Sequence, residues 1–565
     1  MGKFVFIVLN LLYIFFSISI ISGQTSDIKA KLNPVEQLFA KYNLPESPGI
    51  AVAITKDKEV IYTGGFGEAN IEHRVKITAN TLFDLASLAK PFTGMAIAML
   101  VEQNKLDLND DIRMYLPHVP DFGVKITIDH LVHHTSGIRD WVATLTIAGR
   151  TESDVITGRH IWKFIENQNE LNFRPGDKFS YSNTNYFLLA ELISKVTGQP
   201  FSKWLDENIF TPLNMDNTYI LDNYTAILHN KAYPYKLNDN GKYATVPSNL
   251  SSVGSSSMFS SVNDLTNWMV NFENPVVGGN DVIVRTQQVT ALNNGQEVPY
   301  AFGLNIGYFY DIPQISHGGW WQGYRSNFIR FPTRNISIVV LTNCIDIDPD
   351  RLVSQIAMIL FDIKDNPGEV SKEIKVPEKI EMDPSVFDKY CGKYSCPMGE
   401  TAFTVFKENN KLFMQCTGYP LNSSIPVAEN KFYNLPENEY ILFKMDKSGN
   451  ADQLTVQYLD GGEASFKKVD FTPLKDEVDE ICGVYSCPEL KTEYYLHIKG
   501  KTLIASHFQN EDVVLSQELT NMFIGDKWWF KRIIFIRDMD NHVTGFRLDA
   551  DNWRLNKLLF LKTGS

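Results

Sequence analysis

A continuous apolar run, Ile50-Ala51-Val52-Ala53-Ile54, and a second at Val60-Ile61-Tyr62 flank the charged turn Lys56-Asp57-Lys58. That pattern predicts a β-hairpin. Apolar positions at helical spacing follow in Met95–Val101 and again in Tyr186–Val196. Strand-like segments return at Leu304–Phe309, Phe328–Phe331 and Ile336–Leu341, the last two turned at Pro332–Asn335, and a helix fits Arg351–Phe361. Strands at both ends with helices between predict an α/β (α+β) unit over residues 27–363. Its antiparallel sheet is flanked by helices and a helical subregion.

The pattern changes after that. Residues 364–384 are charged and carry Pro367, Pro377 and Pro384, the composition of a linker. Beyond them come short alternating strands and many turns. Tyr390-Cys391-Gly392-Lys393-Tyr394-Ser395-Cys396-Pro397 returns 91 residues later as Ile481-Cys482-Gly483-Val484-Tyr485-Ser486-Cys487-Pro488. Each copy leads into a strand, Phe403–Phe406 or Tyr494–Ile498. Two similar all-β modules are expected, small antiparallel barrels over 385–472 and 476–563. At the other end, one cation, Lys3, precedes the apolar run Phe4–Ile21 and the small residues Ser22-Gly23. This has the form of a secretory signal over residues 1–23, with an uncleaved membrane anchor as the alternative. Export to the periplasm or the medium is expected, with membrane attachment only through that segment.

Composition narrows the partners. The chain has 565 residues, 53 Lys+Arg against 66 Asp+Glu and a formal net charge of −13. An acidic chain without a basic cluster is not built to grip phosphate backbones, so nucleic acid is excluded as the expected partner. Six cysteines in so long a chain are no disulfide scaffold. Four of them form two Cys-x4-Cys copies, and in an exported protein a local disulfide within each copy is expected. Five residues of straight strand would hold such a pair about 17 Å apart, so bridging requires a turn. Cys344 and Cys416 are expected as buried thiols. His133-His134 is expected to be buried and structural, and no metal or cofactor is expected.

The chemistry-bearing segment is Leu82-Phe83-Asp84-Leu85-Ala86-Ser87-Leu88-Ala89-Lys90-Pro91. Pro91 is tolerated only in a first helical turn, which places Ser87 at a helix N-terminus where developing negative charge is favoured. Lys90 lies three residues on, on the same face. A serine hydroxyl needs a base within hydrogen-bond reach, and a lysine serves when burial or neighbouring charge lowers its pKa. Two further segments belong with it. Tyr181 and Asn183, two apart in Tyr181-Ser182-Asn183, precede a helix. His317-Gly318-Gly319-Trp320 follows a strand, and its glycines allow the close backbone approach an oxyanion site requires.

Ser87-x-x-Lys90, Tyr181-Ser182-Asn183 and His317-Gly318-Gly319, in that order, resemble the penicillin-recognising serine hydrolases, which include serine β-lactamases and penicillin-binding proteins. The closest resemblance is to the branch with His-x-Gly as third motif, class C β-lactamase-like esterases and D-aminopeptidases. The segments Gly65–Asn70, His130–Gly137 and Gly254–Trp268 also look like that branch, and the two β modules resemble the lipocalin-like barrels of some members. The resemblance implies that Ser87 forms an acyl-enzyme, that Lys90 helps take its proton and that Tyr181 relays a proton to the leaving group. Asn183 would orient the substrate amide or Lys90, and His317 would replace the third-motif lysine. The N–H groups of Ser87 and Trp320 would form the oxyanion hole, with Gly319 beside them. The missing third-motif lysine argues against a β-lactamase, and Trp320-Trp321 suggests an apolar or flat acyl group. Arg325 is expected to be solvated rather than functional. The expected activity is hydrolysis of small amides or esters, foremost by a peptidase for D-amino-acid or related peptides. A carboxylesterase and then a β-lactamase are the alternatives, and a ligand-binding or sensor protein using the same cleft is the non-enzymatic one.

Overall fold

The computed structural model describes residues 30–564 apart from 152, 364–376, 397–400, 418–420, 435–438, 459–461, 472–477 and 552–553. The expected signal segment and most of the expected linker lie outside the described residues. The chain divides into two compact units, Met1–Asp365 with Asn552–Asn556, and Asn366–Asp551 with Lys557–Ser565.

The first unit is built on a six-stranded antiparallel sheet of β1 (Ile50–Lys56), β2 (Glu59–Phe66), β3 (Asn305–Phe309), β4 (Ile312–Trp321), β5 (Tyr324–Phe331) and β6 (Ile336–Thr342), in the order β3-β4-β5-β6-β1-β2. The first strand thus sits beside the last, with Ile50 opposite Thr342 and Lys56 opposite Ile336. The expected hairpin forms, and its two loop residues, Asp57 and Lys58, have φ of 51° and 71°. Positive φ at both loop positions suits the right-handed twist of the strands it joins.

Alternation along β1 explains the layering. Ile50, Val52 and Ile54 join Ile338, Val340, Leu352 and Ile356 in one buried cluster, against helix Pro349–Leu360. Ala51 and Ala53 point to the other face, where small side chains let helix Val262–Asn271 pack closely. The helix α1 (Lys90–Glu102) packs on that helix, with Phe92 stacked on Trp268 at 4.0 Å between ring centroids, and α2 (Asn183–Thr197) packs on α1. Pro91 falls in the first turn of α1, and Gly198 ends α2 with φ of 69°. Among the described residues no helix is long and apolar enough to cross a membrane.

The second unit holds two antiparallel β structures, a nine-strand sheet over Gly392–Val469 and a closed eight-strand barrel over Gly483–Gly564. The repeat is structural as well as sequential. The hydroxyl of buried Tyr394 donates to the Tyr390 carbonyl at 2.7 Å, and that of buried Tyr485 donates to the Ile481 carbonyl at 2.9 Å. Each tyrosine pins the entry turn to the first strand of its module.

The expected local disulfides do not form: among the described residues no cysteine is joined in a disulfide. Cys391 and Cys396 flank the strand Gly392–Ser395, and Cys482 and Cys487 are related in the same way to Gly483–Cys487. An extended strand separates its ends by about 3.3 Å per residue, too far for a bridge that needs Cα atoms within about 7 Å.

Replacing Tyr485 by Phe leaves the Ile481 carbonyl without its buried donor. Chemical denaturation should show the second unit destabilised by about 1–3 kcal/mol, with the hydrolytic activity of the first unit unchanged.

Candidate active site

Ser87 lies in a 3-10 turn, Ala86–Ala89, that runs directly into α1. Ala86 holds φ of 50°, a left-handed conformation unusual for a residue with a side chain. The conformation is stabilised by Asp84, whose Oδ1 accepts from the Ala86 N–H at 2.9 Å. Burial pushes the Asp84 carboxyl up to about 7, opposed by that N–H and by Lys231.

Lys90 is fully buried, and its Nζ lies 2.9 Å from Ser87 Oγ, 2.9 Å from Asn183 Oδ1 and 2.8 Å from the Ser255 carbonyl. Burial holds its pKa well below the ordinary lysine value; Asp140 opposes this and Arg554 adds to it. The three contacts suit a neutral amine. Asn183 Oδ1 and the Ser255 carbonyl can only accept, and they take its two N–H groups. The lone pair is then left for the Ser87 hydroxyl proton.

Tyr181 stands on the other side of Ser87, in contact with its hydroxyl, with its ring centroid 4.9 Å from Lys90 Nζ. Burial raises its pKa above the ordinary phenol value, so it is a protonated phenol at neutral pH. His134 packs against it with ring centroids 4.3 Å apart. The His134 Nδ1 accepts from the Ser182 N–H and from Asn185 Nδ2, both at 3.2 Å. His133 turns elsewhere, pairing with Asp129 at 3.0 Å.

Asn183 opens α2 and is held by Asp140, whose Oδ1 accepts from the Asn183 N–H at 2.8 Å and from its Nδ2 at 3.0 Å. A carboxylate at a helix N-terminus is favoured by the helix dipole. Fixing Nδ2 this way turns Oδ1 of Asn183 toward Lys90. The other Asp140 oxygen lies 3.5 Å from Arg554. Arg554 belongs to the first unit through Asn552–Asn556, and its carbonyl accepts from the Asp140 N–H at 2.8 Å.

The third motif lies on β4. His317 is buried, its pKa pushed down to about 3 by burial and by Lys90, with the Gly318 carbonyl opposing. Its Nδ1 lies 2.6 Å from that carbonyl and must donate, so Nε2 accepts from the Tyr300 hydroxyl at 3.1 Å. His317 is therefore a neutral ring and supplies no cation. β3 pairs with β4 only as far as Ser316, so from His317 to Trp321 β4 is paired with β5 alone among the described residues, and its open side runs past Ser87. A Cβ on Gly319 would overlap the Leu85 carbonyl and crowd the Ser87 nitrogen, and Ser326 Oγ donates to that same carbonyl at 2.7 Å.

These groups share one cleft of about 580 Å³, lined by Ser87, Tyr181, Asn183, His317, Gly319, Trp320 and Arg554 among others. Trp141, Val142 and half-exposed Trp320 form apolar walls, while Trp321 is buried with its Nε1 donating to Ser248 Oγ at 3.1 Å. Arg325 also lines the cleft, paired with Asp348 at 3.1 Å and Asp350 at 3.5 Å rather than simply solvated. Six of the seven residues singled out in the sequence line this cleft, and the seventh, Lys90, is buried behind it against Ser87 and Asn183. Asp140, Ser255, Tyr300 and Arg554 were missed. Asp140 and Ser255 adjoin or fall in the flanking segments that look like the family, whereas no local signal marks Arg554.

Comparison with known proteins agrees with this geometry. Residues 35–357 match the Beta-lactamase family, more than half of the chain. The chain belongs to that family and is a serine hydrolase. It is 27% identical over 425 residues to penicillin-binding protein 4* of Bacillus subtilis, covering 72% of this chain and 91% of that one. It is 29% identical over 297 residues to a D-aminopeptidase of Gluconobacter oxydans, covering 52% of this chain and only 56% of that one. Among solved structures, an octameric penicillin-binding protein homologue from Pyrococcus abyssi shares the fold with a TM-score of 0.52 and 22% identity. That match covers 79% of this chain and 100% of the other.

Two outcomes test the arrangement. Gly319→Ala should reduce kcat/KM for an ester substrate by about 10²-fold or more while the melting temperature stays near wild type, because the clash displaces the edge beside Ser87. Acylation should weaken as pH falls through the depressed Lys90 pKa, since only the neutral amine can accept the proton. Arg554→Met removes a positive neighbour, raises that pKa and should move the acid limb of the kcat/KM profile to higher pH.

Proposed function

We propose that this chain hydrolyses small amides through an acyl-enzyme on Ser87, with D-amino-acid amides or short D-amino-acid peptides carrying a free amino group as substrates. Lys90 takes the Ser87 proton as the nucleophile attacks, and Tyr181 passes a proton to the leaving amine. The high pKa of the phenol and the low pKa of the amine support that division of labour. The N–H groups of Ser87 and Trp320 receive the developing oxyanion, Asn183 orients the substrate amide and Lys90, and His317 contributes through neutral hydrogen bonds. Water then releases the acyl group by the reverse proton movements.

The observation that carries the substrate class is the pairing of the guanidinium groups at the cleft. Arg325 is matched by Asp348 and Asp350, and Arg554 by Asp140, while His317 is uncharged. A substrate carboxylate would have to break one of these pairs, whereas an amino group can join the Arg325–Asp350 pair on its carboxylate side, where Asp350 borders the cleft. This disfavours β-lactams and C-terminal carboxylate recognition, and the D-aminopeptidase relative supports the same direction. A carboxylesterase is the second reading, favoured by the apolar walls of Trp141, Val142 and Trp320. The apolar run Phe4–Ile21 supports export, so the reaction is proposed to take place outside the cytoplasm.

A fluorophosphonate probe should label wild type and leave Ser87→Ala unlabelled. D-alanyl p-nitroanilide should be turned over with kcat/KM at least about tenfold above its L-isomer, and Ser87→Ala should lower that rate by about 10³-fold or more. Turnover of p-nitrophenyl esters without any anilide hydrolysis would replace the peptidase reading by the esterase one.

A further inference from the structure

His134 is not among the reacting groups, yet it is bonded to the segment that carries two of them. It is fully buried and holds φ of 57°, a left-handed conformation that costs free energy in a residue with a side chain. In this conformation it reaches the chain on both sides of Tyr181. The His134 carbonyl accepts from the Ser180 N–H at 2.9 Å, and its Nδ1 accepts from the Ser182 N–H at 3.2 Å. The same imidazole packs on the Tyr181 ring, with centroids 4.3 Å apart. One residue thus holds Tyr181 by both flanking amides and by the face of its ring.

The neighbours fix where the imidazole carries its hydrogen. Ser136 Oγ donates to Asn185 Oδ1 at 2.7 Å, which turns the Asn185 Nδ2 toward His134 Nδ1 at 3.2 Å. Two donors converge on Nδ1, so it accepts and the hydrogen sits on Nε2. Nε2 is buried without a hydrogen-bond partner among the described residues, in a ring enclosed by those of Tyr181, Tyr186 and Tyr300. An unpaired buried N–H is unfavourable, and an apolar side chain would pack here without one. What the imidazole adds over an apolar group is its acceptor, Nδ1.

We propose, on the basis of the proton relay read for Tyr181, that His134 is its positioning residue. By holding the amides of Ser180 and Ser182 it aims the phenol at the leaving group. Asp140 holds Asn183 in the corresponding way, so each of the two functional residues in this segment has its own anchor. The phenol oxygen stands at the far end of its side chain, where a small turn of the backbone is magnified. A misplacement of about 1 Å costs on the order of 10²-fold in rate.

The test compares two esters of one acid, ethyl butyrate, whose alkoxide needs a proton to leave, and p-nitrophenyl butyrate, whose phenolate does not. The readout is the ratio of their kcat/KM values in the full chain. Tyr181→Phe should lower that ratio about tenfold or more. His134→Gly accepts the same φ and removes Nδ1, and it should lower the ratio about tenfold as well. His134→Asn also tolerates that φ and keeps an acceptor near the place of Nδ1, so its ratio should return to within about threefold of wild type. Labelling of Ser87 by a fluorophosphonate shows that each variant is folded. Equal losses on both esters in His134→Gly, or a ratio in His134→Asn as low as that of Tyr181→Phe, would overturn the positioning role. Where His134→Gly is not labelled, the His134→Asn ratio decides alone. A ratio unchanged in Tyr181→Phe, or a wild type that hydrolyses only the p-nitrophenyl ester, overturns the relay and the positioning role together. A ratio lowered in Tyr181→Phe but unchanged in His134→Gly overturns the positioning role only.

Discussion

The catalytic unit depends on keeping one lysine buried without a direct counter-ion. Lys90 has lost its hydration, and what replaces water is a set of neutral oxygens, those of Ser87, Asn183 and Ser255. Such an environment favours the uncharged amine, which is the form able to take a proton. Its neighbours are arranged to preserve that set. Gly254 at φ of 82° brings its loop against α2, where a Cβ would overlap the Tyr186 carbonyl, and Thr93 Oγ1 donates to the Gly254 carbonyl at 2.8 Å. The Ser255 carbonyl is thereby delivered to the amine by a loop held between α1, through Thr93, and α2, through the turn at Tyr186. Asp140 does the same for Asn183 from the other side, and as a carboxylate near the amine it tempers the depression of the lysine pKa.

The same economy governs the nucleophile and the edge strand. Ala86 is held in an unfavourable conformation by Asp84, and Ser326 ties the preceding carbonyl, Leu85, to the sheet. Strain at this turn is supported from both flanks, so the serine is presented in one orientation. The absence of a side chain on Gly319 lets β4 approach within reach of the Ser87 nitrogen. A sheet edge normally exposes unpaired backbone groups as a liability; here the unpaired stretch faces Ser87, where the proposed reaction needs donors for a substrate oxygen.

The second unit shows what duplication preserves and what it releases. The tyrosine that pins each entry turn is kept with its hydrogen bond, because it closes the start of the first strand in both copies. Interior residues are constrained only by volume and by satisfied polar atoms, so Tyr494 and His507 in one copy stand where Phe403 and Cys416 stand in the other.

The sequence by itself determined the period of the strands and helices, the repeat, and the three motifs with their chemistry. These are local properties: alternation, helical spacing, and residue types set a few positions apart. The hairpin at Asp57-Lys58, the helix after Tyr181 and the meeting of Ser87, Lys90, Tyr181, Asn183 and His317 were all legible from them. Tertiary structure alone decided the charge on His317, which follows from burial and from the Tyr300 hydroxyl, and the partners of Arg325. It also decided that Cys391 and Cys396 stay apart, because a straight strand lies between them. Arg554 was beyond reach, since its place depends on a chain path that brings residues 554–556 into the first unit, and no local pattern encodes such a return. Electrostatics at a site is a sum over neighbours in space. Spacing along the chain names the reacting groups, and only packing sets their pKa values.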